Sequence, residues 1–429
     1  MKWKKAVSCV LAGGLLAGMV TGCQKESEDG GADKPVSLEM ATTWTGDKKD
    51  VLEKIVGEFT DETGIEVELV SPGDSYETVM KTRMASNDLP DLWETHGWSV
   101  ARYSEYLMPL NDQEWMSRVD EAIKPVITDK EGNIFVLPLT MGINTISYSQ
   151  DALRAAGVKA EDIRTWDDFE AACDQLKEKG ITPIYVGNSD GTSIAQLAEA
   201  VPPTYLTNDD VEDNQGDALK DGTFDFETYW TPVAERIDSW MQKGYFNVDI
   251  STSDNEAGCR AVGLGEAGFI FGGSNNITTA RTYNPEAEMG ILPAPGLTDD
   301  AKSSLSMGEG SCYGVWKDSE NRDEALQLLE YLSDKEIVSE LATAGGDLPA
   351  FTDADNSEDY LTKVFRKTTE DFDGDLLYVP LFDREYLPNG MWDDLGNSLT
   401  EIILSPGNAV ESSTASLAAA YQEKLTAGE

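Results

Sequence analysis

Residues 36–70 read VSLEMATTWTGDKKDVLEKIVGEFTDETGIEVELV, and the fold class follows from their periodicity. The run 36–42 has the composition of a strand. Val51, Leu52, Ile55, Val56 and Phe59 then recur at the spacing of one helical face, and Gly64 supplies a C-terminal stop. Residues 65–70 alternate as a half-buried strand does, and Pro72-Gly73 breaks the run. Working outward, Val79, Met80 and Met84 mark a second helix, and 89–93 a further strand. This β-α-β-α-β order predicts an α/β fold with a mostly parallel sheet covered by helices. The same grammar resumes after Ile143. Thr165 caps a helix through Phe169, Ala172 and Leu176, with Asp168 in its first turn and Gly180 at its exit. Strands are expected at 181–187, 269–272 and 289–292, and a buried helix at 325–332. No internal repeat is present.

The N-terminus reads differently. Lys2, Lys4 and Lys5 precede an apolar run, 6–20, too short for the roughly 20 residues that span a bilayer. The run ends in VTGC at 20–23, which resembles a bacterial lipobox. Residues 1–22 are therefore expected to be a lipoprotein signal peptide, with Cys23 as the lipid anchor. Residues 23–35 follow as a tether too polar and glycine-rich to pack. Such an anchor holds through buried methylenes rather than a spanning helix. The expected location is extracytoplasmic, on the bacterial cell membrane.

Composition removes several chemistries. A formal net charge of −46 would be repelled by phosphate backbones, which argues against a nucleic-acid partner. Of five cysteines, only Cys173, Cys259 and Cys312 lie beyond the anchor, a spacing that is neither a disulfide framework nor a metal motif. Buried free thiols are the default, with one pairing open. The single histidine, His96, excludes a zinc-protease pair. The G-x-G-x-x-G at 263–268 precedes a strand instead of following one, so it does not fit a dinucleotide fingerprint. Residues 371–375 are too short for a calcium loop. No cofactor and no catalytic constellation is expected, and the reading is of a monomer.

A series of short landmarks runs through nearly the whole chain beyond the tether. They are WTGDK at 44–48, FTDETGI at 59–65, LPDLW at 89–93 and DKEGNIFVLP at 129–138. Next come ISY at 146–148, TWDDF at 165–169, GITP at 180–183, GEAGFIFGGS at 265–274, LPAP at 292–295 and GGDLP at 345–349. Their order and spacing resemble the family 1 extracellular solute-binding proteins of sugar-importing ABC transporters, the group that includes maltose-binding proteins. The resemblance implies the two-lobe, type II periplasmic-binding-protein-like fold with ligand enclosed between lobes. It places chain crossings near 137–142, 304–307 and 345–349. The N-lobe would hold 36–139 and 307–345, and the C-lobe 140–306 and 346–429. The implied partners are a carbohydrate ligand and the permease subunits of an ABC transporter, with the membrane met only through the lipid anchor.

Sugars offer C–H faces to aromatic rings and hydroxyls to charged or amide groups, so the ten tryptophans matter. Trp44, Trp98 and Trp392 stand beside expected turns or helix starts, where a ring can face a cleft. Trp166 and Trp240 lie on helical faces, where core packing is the simpler reading. By the resemblance, Asp47 and Lys48 fall where the maltose group uses an Asp and a Lys. His96 and Trp98 occupy a loop of sugar contacts, and Asn275 stands where that group has a tryptophan. Trp392 matches its late stacking aromatic. Asp190 and Glu309 are added from glycine-rich loops, with a plain turn role as the alternative. Two other functions remain open: a non-sugar solute on the same fold, and a secreted carbohydrate-active enzyme.

Overall fold

The computed structural model describes residues 36–427 apart from 96–99, 122, 192 and 373–375. The expected signal peptide, Cys23, the tether, His96 and Trp98 lie outside the described residues. In chain order the strands are β1 (Ser37–Ala41), β2 (Glu66–Val70), β3 (Leu92–Glu94), β4 (Leu137–Pro138), β5 (Thr140–Ser149) and β6 (Thr182–Tyr185). They continue with β7 (Ala267–Gly273), β8 (Met289–Leu292), β9 (Ser303–Glu309), β10 (Cys312–Val315), β11 (Leu348–Pro349) and β12 (Leu376–Pro380). They form two sheets within one compact unit.

The smaller sheet has the order β2-β1-β3-β10-β4. Its first three strands are parallel, as the opening residues predict, and β10 runs antiparallel to both β3 and β4. The helix Gly46–Thr63 turns Leu52, Ile55, Val56 and Phe59 onto this sheet and ends at Gly64, where φ is 77°. The N–H of Gly64 closes the last turn on the Thr60 carbonyl at 2.8 Å.

The larger sheet has the order β12-β9-β5-β7-β6, with β8 and β11 also paired to β5. Here the expectation of a mostly parallel sheet fails. The ten-residue β5 enters directly from the smaller sheet and runs antiparallel to β7, β8, β9 and β11. Among the described strands of this sheet, parallel pairing survives only in β6–β7 and β9–β12. The helix Trp166–Glu178 begins with a complete capping box between Thr165 and Asp168. It buries Trp166 and Phe169 against Trp240, Phe269 and Phe271 in a continuous aromatic cluster. Trp166 and Trp240 are fully buried, so both serve the core.

The glycines at 263–268 have a packing role. A Cβ on Gly268 would stand 2.4 Å from Leu176 Cδ1, and one on Gly263 would stand 2.5 Å from the Ala280 carbonyl oxygen. Cys173, Cys259 and Cys312 are buried free thiols. Among the described residues no helix is long and apolar enough to cross a membrane.

The chain passes between sheets at Leu139, between β4 and β5, and again between β9 and β10. This second passage was expected at 304–307 but falls at Gly310-Ser311, because β9 stays in the larger sheet through Glu309, which pairs with Met141. Residues 307–309 therefore belong with the larger sheet. A third passage, Gly346-Asp347, links the helix Lys335–Gly345 to β11. The three are bonded together. Leu139 donates to the Ser311 carbonyl at 2.9 Å, Gly310 to Thr140 at 3.0 Å, and Ala350 to Leu139 at 3.1 Å.

Candidate functional site

The passages meet at one side-chain oxygen. Thr140 Oγ1 accepts from the Ser311 N–H at 2.7 Å and donates to Asp347 Oδ2 at 3.4 Å. Gly310 is required there, since a Cβ would lie 2.1 Å from that hydroxyl. Ser311 Oγ donates in turn to Glu94 Oε1 at 2.9 Å. The other Glu94 oxygen accepts from Thr42 Oγ1, the Thr43 N–H and Thr43 Oγ1 at 2.7–2.9 Å. Glu94 is only 2 % exposed, so these four donors replace water around a buried carboxylate. They also fix the loop that carries Trp44, whose N–H donates to Thr42 Oγ1 at 3.2 Å.

Trp44 is half-buried against the third passage. Its Cζ2 lies 3.6 Å from the point where Gly345 would carry a Cβ. Lys48 Nζ donates to the Gly345 carbonyl at 2.9 Å. On the far side, the equivalent point on Gly346 lies 3.8 Å from Asn275 Cβ and 3.5 Å from Thr278 Oγ1. Gly346 has φ 71°, in the left-handed region that favours glycine. Trp44 and Lys48, from the smaller-sheet side, thus meet Asn275, which opens a helix after β7, across a two-glycine loop. Asp47 is exposed in the first helical turn, where its charge complements the helix N-terminus.

A cavity of about 540 Å³ lies between the two sheets' loops, walled by Val100, Gly308, Glu309, Leu381 and Arg384. Residues beyond Val100 belong with the smaller sheet, because Met108 donates to the Val315 carbonyl at 3.0 Å. The opposite wall is the helix Phe382–Tyr386, which follows β12. Its first two N–H groups, from Phe382 and Asp383, point at the buried carboxylate of Glu199 at 2.7 and 3.3 Å. Burial pushes the Glu199 carboxyl well up, and neighbouring Asp383 adds to the effect.

Glu309 is 8 % exposed, and its Oε1 accepts from Thr95 Oγ1 at 3.1 Å. Its Oε2 has no partner among the described residues. Burial raises its carboxyl to about 8, against opposing help from Thr95, Cys312 and Arg384. Trp392, half-buried, borders an adjoining space of about 770 Å³ with Arg102, Tyr106 and Arg384. Arg384 lines both spaces. Burial lowers Arg102 from the usual guanidinium value; Glu77 opposes this and Arg384 reinforces it.

Asp190 is not with this group. Its two carboxylate oxygens cap the N–H and hydroxyl of Ser193 at 2.9 and 2.6 Å, and it borders a separate cavity with Gly187 and Asp254. Its bonds to Ser193 are those of a turn. The sequence reading missed Glu94, Arg102, Asp347 and Arg384. Of these only Asp347 carried a local signal, as the acid inside GGDLP.

Among the described residues no group of His, Cys, Asp and Glu side chains is arranged to hold a metal ion. The sequence pattern that defines the bacterial extracellular solute-binding proteins matches residues 45–338, well over half of the chain. The chain belongs to this family. Within the family, the melibiose/raffinose/stachyose-binding protein MelE of Bacillus subtilis is 28 % identical over 399 residues, covering 91 % of each chain. A Bacillus subtilis binding protein, MsmE, solved in an open conformation, superimposes with a TM-score of 0.84 at 27 % identity. That match covers 92 % of this chain and 98 % of the other. A sugar transporter protein of Bacillus licheniformis in complex with stachyose gives 0.77 at 30 % identity, covering 90 % of this chain and all of the other. This solute-binding protein therefore has the family's two-sheet α/β architecture.

Proposed function

We propose that this protein captures an oligosaccharide between its two sheets and delivers it to the permease of an ABC importer. The observation that carries this reading is the pair of adjoining cavities that share Arg384. They set an indole, Trp392, and two guanidinium groups near Glu309, whose Oε2 has no partner among the described residues. Flat apolar surface next to fixed, planar hydrogen-bonding groups suits a sugar's two kinds of surface. The volumes are of the size that encloses small ligands, about 300–1,000 Å³. Likeness to MelE and to the stachyose complex supports an oligosaccharide, with α-galactosides such as raffinose the first to try.

The lobes in this reading are the parts built on each sheet, pivoting where Leu139, Gly310-Ser311 and Gly346-Asp347 pass between them. Hinge closure on a ligand is the transition that such a layout permits. Cys23, acylated after removal of 1–22, would keep the protein at the outer face of the membrane near its permease. No catalytic role is assigned to the cleft.

Calorimetry with melibiose, raffinose, stachyose and maltose tests the reading. Saturable binding of at least one supports it. No heat and no thermal shift with any of them would refute the α-galactoside assignment and leave the carbohydrate reading without support.

A further inference from the structure

We propose that Asp347 is a specificity-determining ligand contact whose carboxylate accepts two neighbouring hydroxyls of a sugar ring lying against Trp44. This rests on the carbohydrate reading above and names a contact within it.

Three observations place Asp347 in that role. Its Oδ2 and Trp44 Cζ2 lie 3.1 and 3.6 Å from the point where Gly345 would carry a Cβ, so carboxylate and indole share one side of that glycine. A side chain at 345 would crowd both. Next, its one described side-chain hydrogen bond is the 3.4 Å contact from Thr140, whereas a carboxylate has room for about four donors. Glu94 close by is the contrast: its four donors are all supplied by the protein. Finally, Asp347 lies in the third passage, with the smaller-sheet residues Trp44 and Lys48 on one side and Asn275 on the other. A ligand bonded to Asp347 is thus held on a segment that links the two sheets.

The contact has a pH signature. Burial raises the Asp347 carboxyl to about 6. The charged groups acting on it are Lys48, from the helix Gly46–Thr63, which lowers it, and Glu94, from β3, which raises it; Thr140, from β5, is uncharged. Only the ionised form offers both oxygens as charged acceptors, the stronger kind, so affinity is full above this value. It falls as pH drops through it, approaching tenfold per unit well below.

Calorimetry with raffinose at pH 5, 6 and 7 on wild type, Asp347→Asn and Lys48→Met tests the proposal. Wild-type affinity is expected to fall about tenfold from pH 7 to pH 5. Asp347→Asn should bind about tenfold to a hundredfold more weakly at pH 7, the loss typical of a hydrogen bond to a charged group, and its profile should be flat. Lys48→Met should move the midpoint to higher pH, a displacement that a purely structural role for Asp347 would not produce. Raffinose binding with a flat wild-type profile, or with the same slope in Asp347→Asn, overturns the proposal alone. If raffinose does not bind at pH 7, the α-galactoside assignment and this proposal fall together.

Discussion

Replacing Glu309 by Gln should make the protein's stability less dependent on alkaline pH. In the folded chain the carboxyl is 8 % exposed, one of its oxygens has no partner among the described residues, and burial holds it protonated up to about pH 8. In the unfolded chain it returns to its ordinary 4.5. The folded state therefore keeps a proton that the unfolded state has released. Its stabilising share is complete below pH 4.5 and is lost progressively as pH rises to about 8. Each unit of that interval is worth about 1.4 kcal/mol, less as the folded group itself begins to ionise, so between pH 6 and 8 the wild type should lose roughly 2 kcal/mol from this group. The neutral amide of the Glu309→Gln variant cannot ionise and should not show that loss. Urea unfolding followed by tryptophan fluorescence at pH 6, 7 and 8 measures the difference. Parallel stability profiles for the two proteins would refute the reasoning, because they would mean that the buried oxygen finds water or a cation.

Trp392→Ala should weaken raffinose binding by roughly thirtyfold or more, as truncating a central aromatic anchor commonly costs on the order of 2 kcal/mol. The ligand-free melting point should stay near that of wild type; a large drop would return Trp392 to a core role. Gly310→Ala should destabilise the fold by about 1–3 kcal/mol, the usual range for overpacking, since its Cβ would meet Thr140 Oγ1 at 2.1 Å. Thermal unfolding checks this, and an unchanged midpoint would show that the passage has slack. Cys23→Ala should move the protein from the membrane fraction to the soluble fraction. Retention at the membrane would argue against acylation at that residue.

The elements whose signals are local were legible in the sequence. The face of Leu52, Ile55, Val56 and Phe59, the stop at Gly64 and the Thr165–Asp168 box all appear where the spacing put them. The direction of β5 was not legible, because a strand's partners lie far away in sequence and alternation carries no polarity. The second passage was misplaced for a similar reason: apolar alternation continues through Met307, and nothing in the run marks a change of sheet. Of the residues expected at a site, Trp44, Lys48 and Asn275 lie around the Gly345-Gly346 loop, whereas Asp190 bonds Ser193 beside a separate cavity. A carboxylate after a glycine-rich turn looks the same in sequence whether it caps a short helix or faces a cavity. Glu94 and Arg384 had no nearby pattern at all; their importance comes from residues 217 and 75 positions away, Ser311 and Glu309.

The bonded passages also bear on mechanics. Three independent tethers would let two bodies slide, twist and separate in several directions. Leu139, Gly310-Ser311 and Ala350 are instead laced edge to edge into a narrow ribbon. A ribbon of this kind is stiff within its own plane and soft mainly to bending across it. In the proposed reading, relative movement of the sheets would thereby be steered toward a single angular coordinate, and a solute arriving between them would meet the same two faces in the same alignment at every encounter.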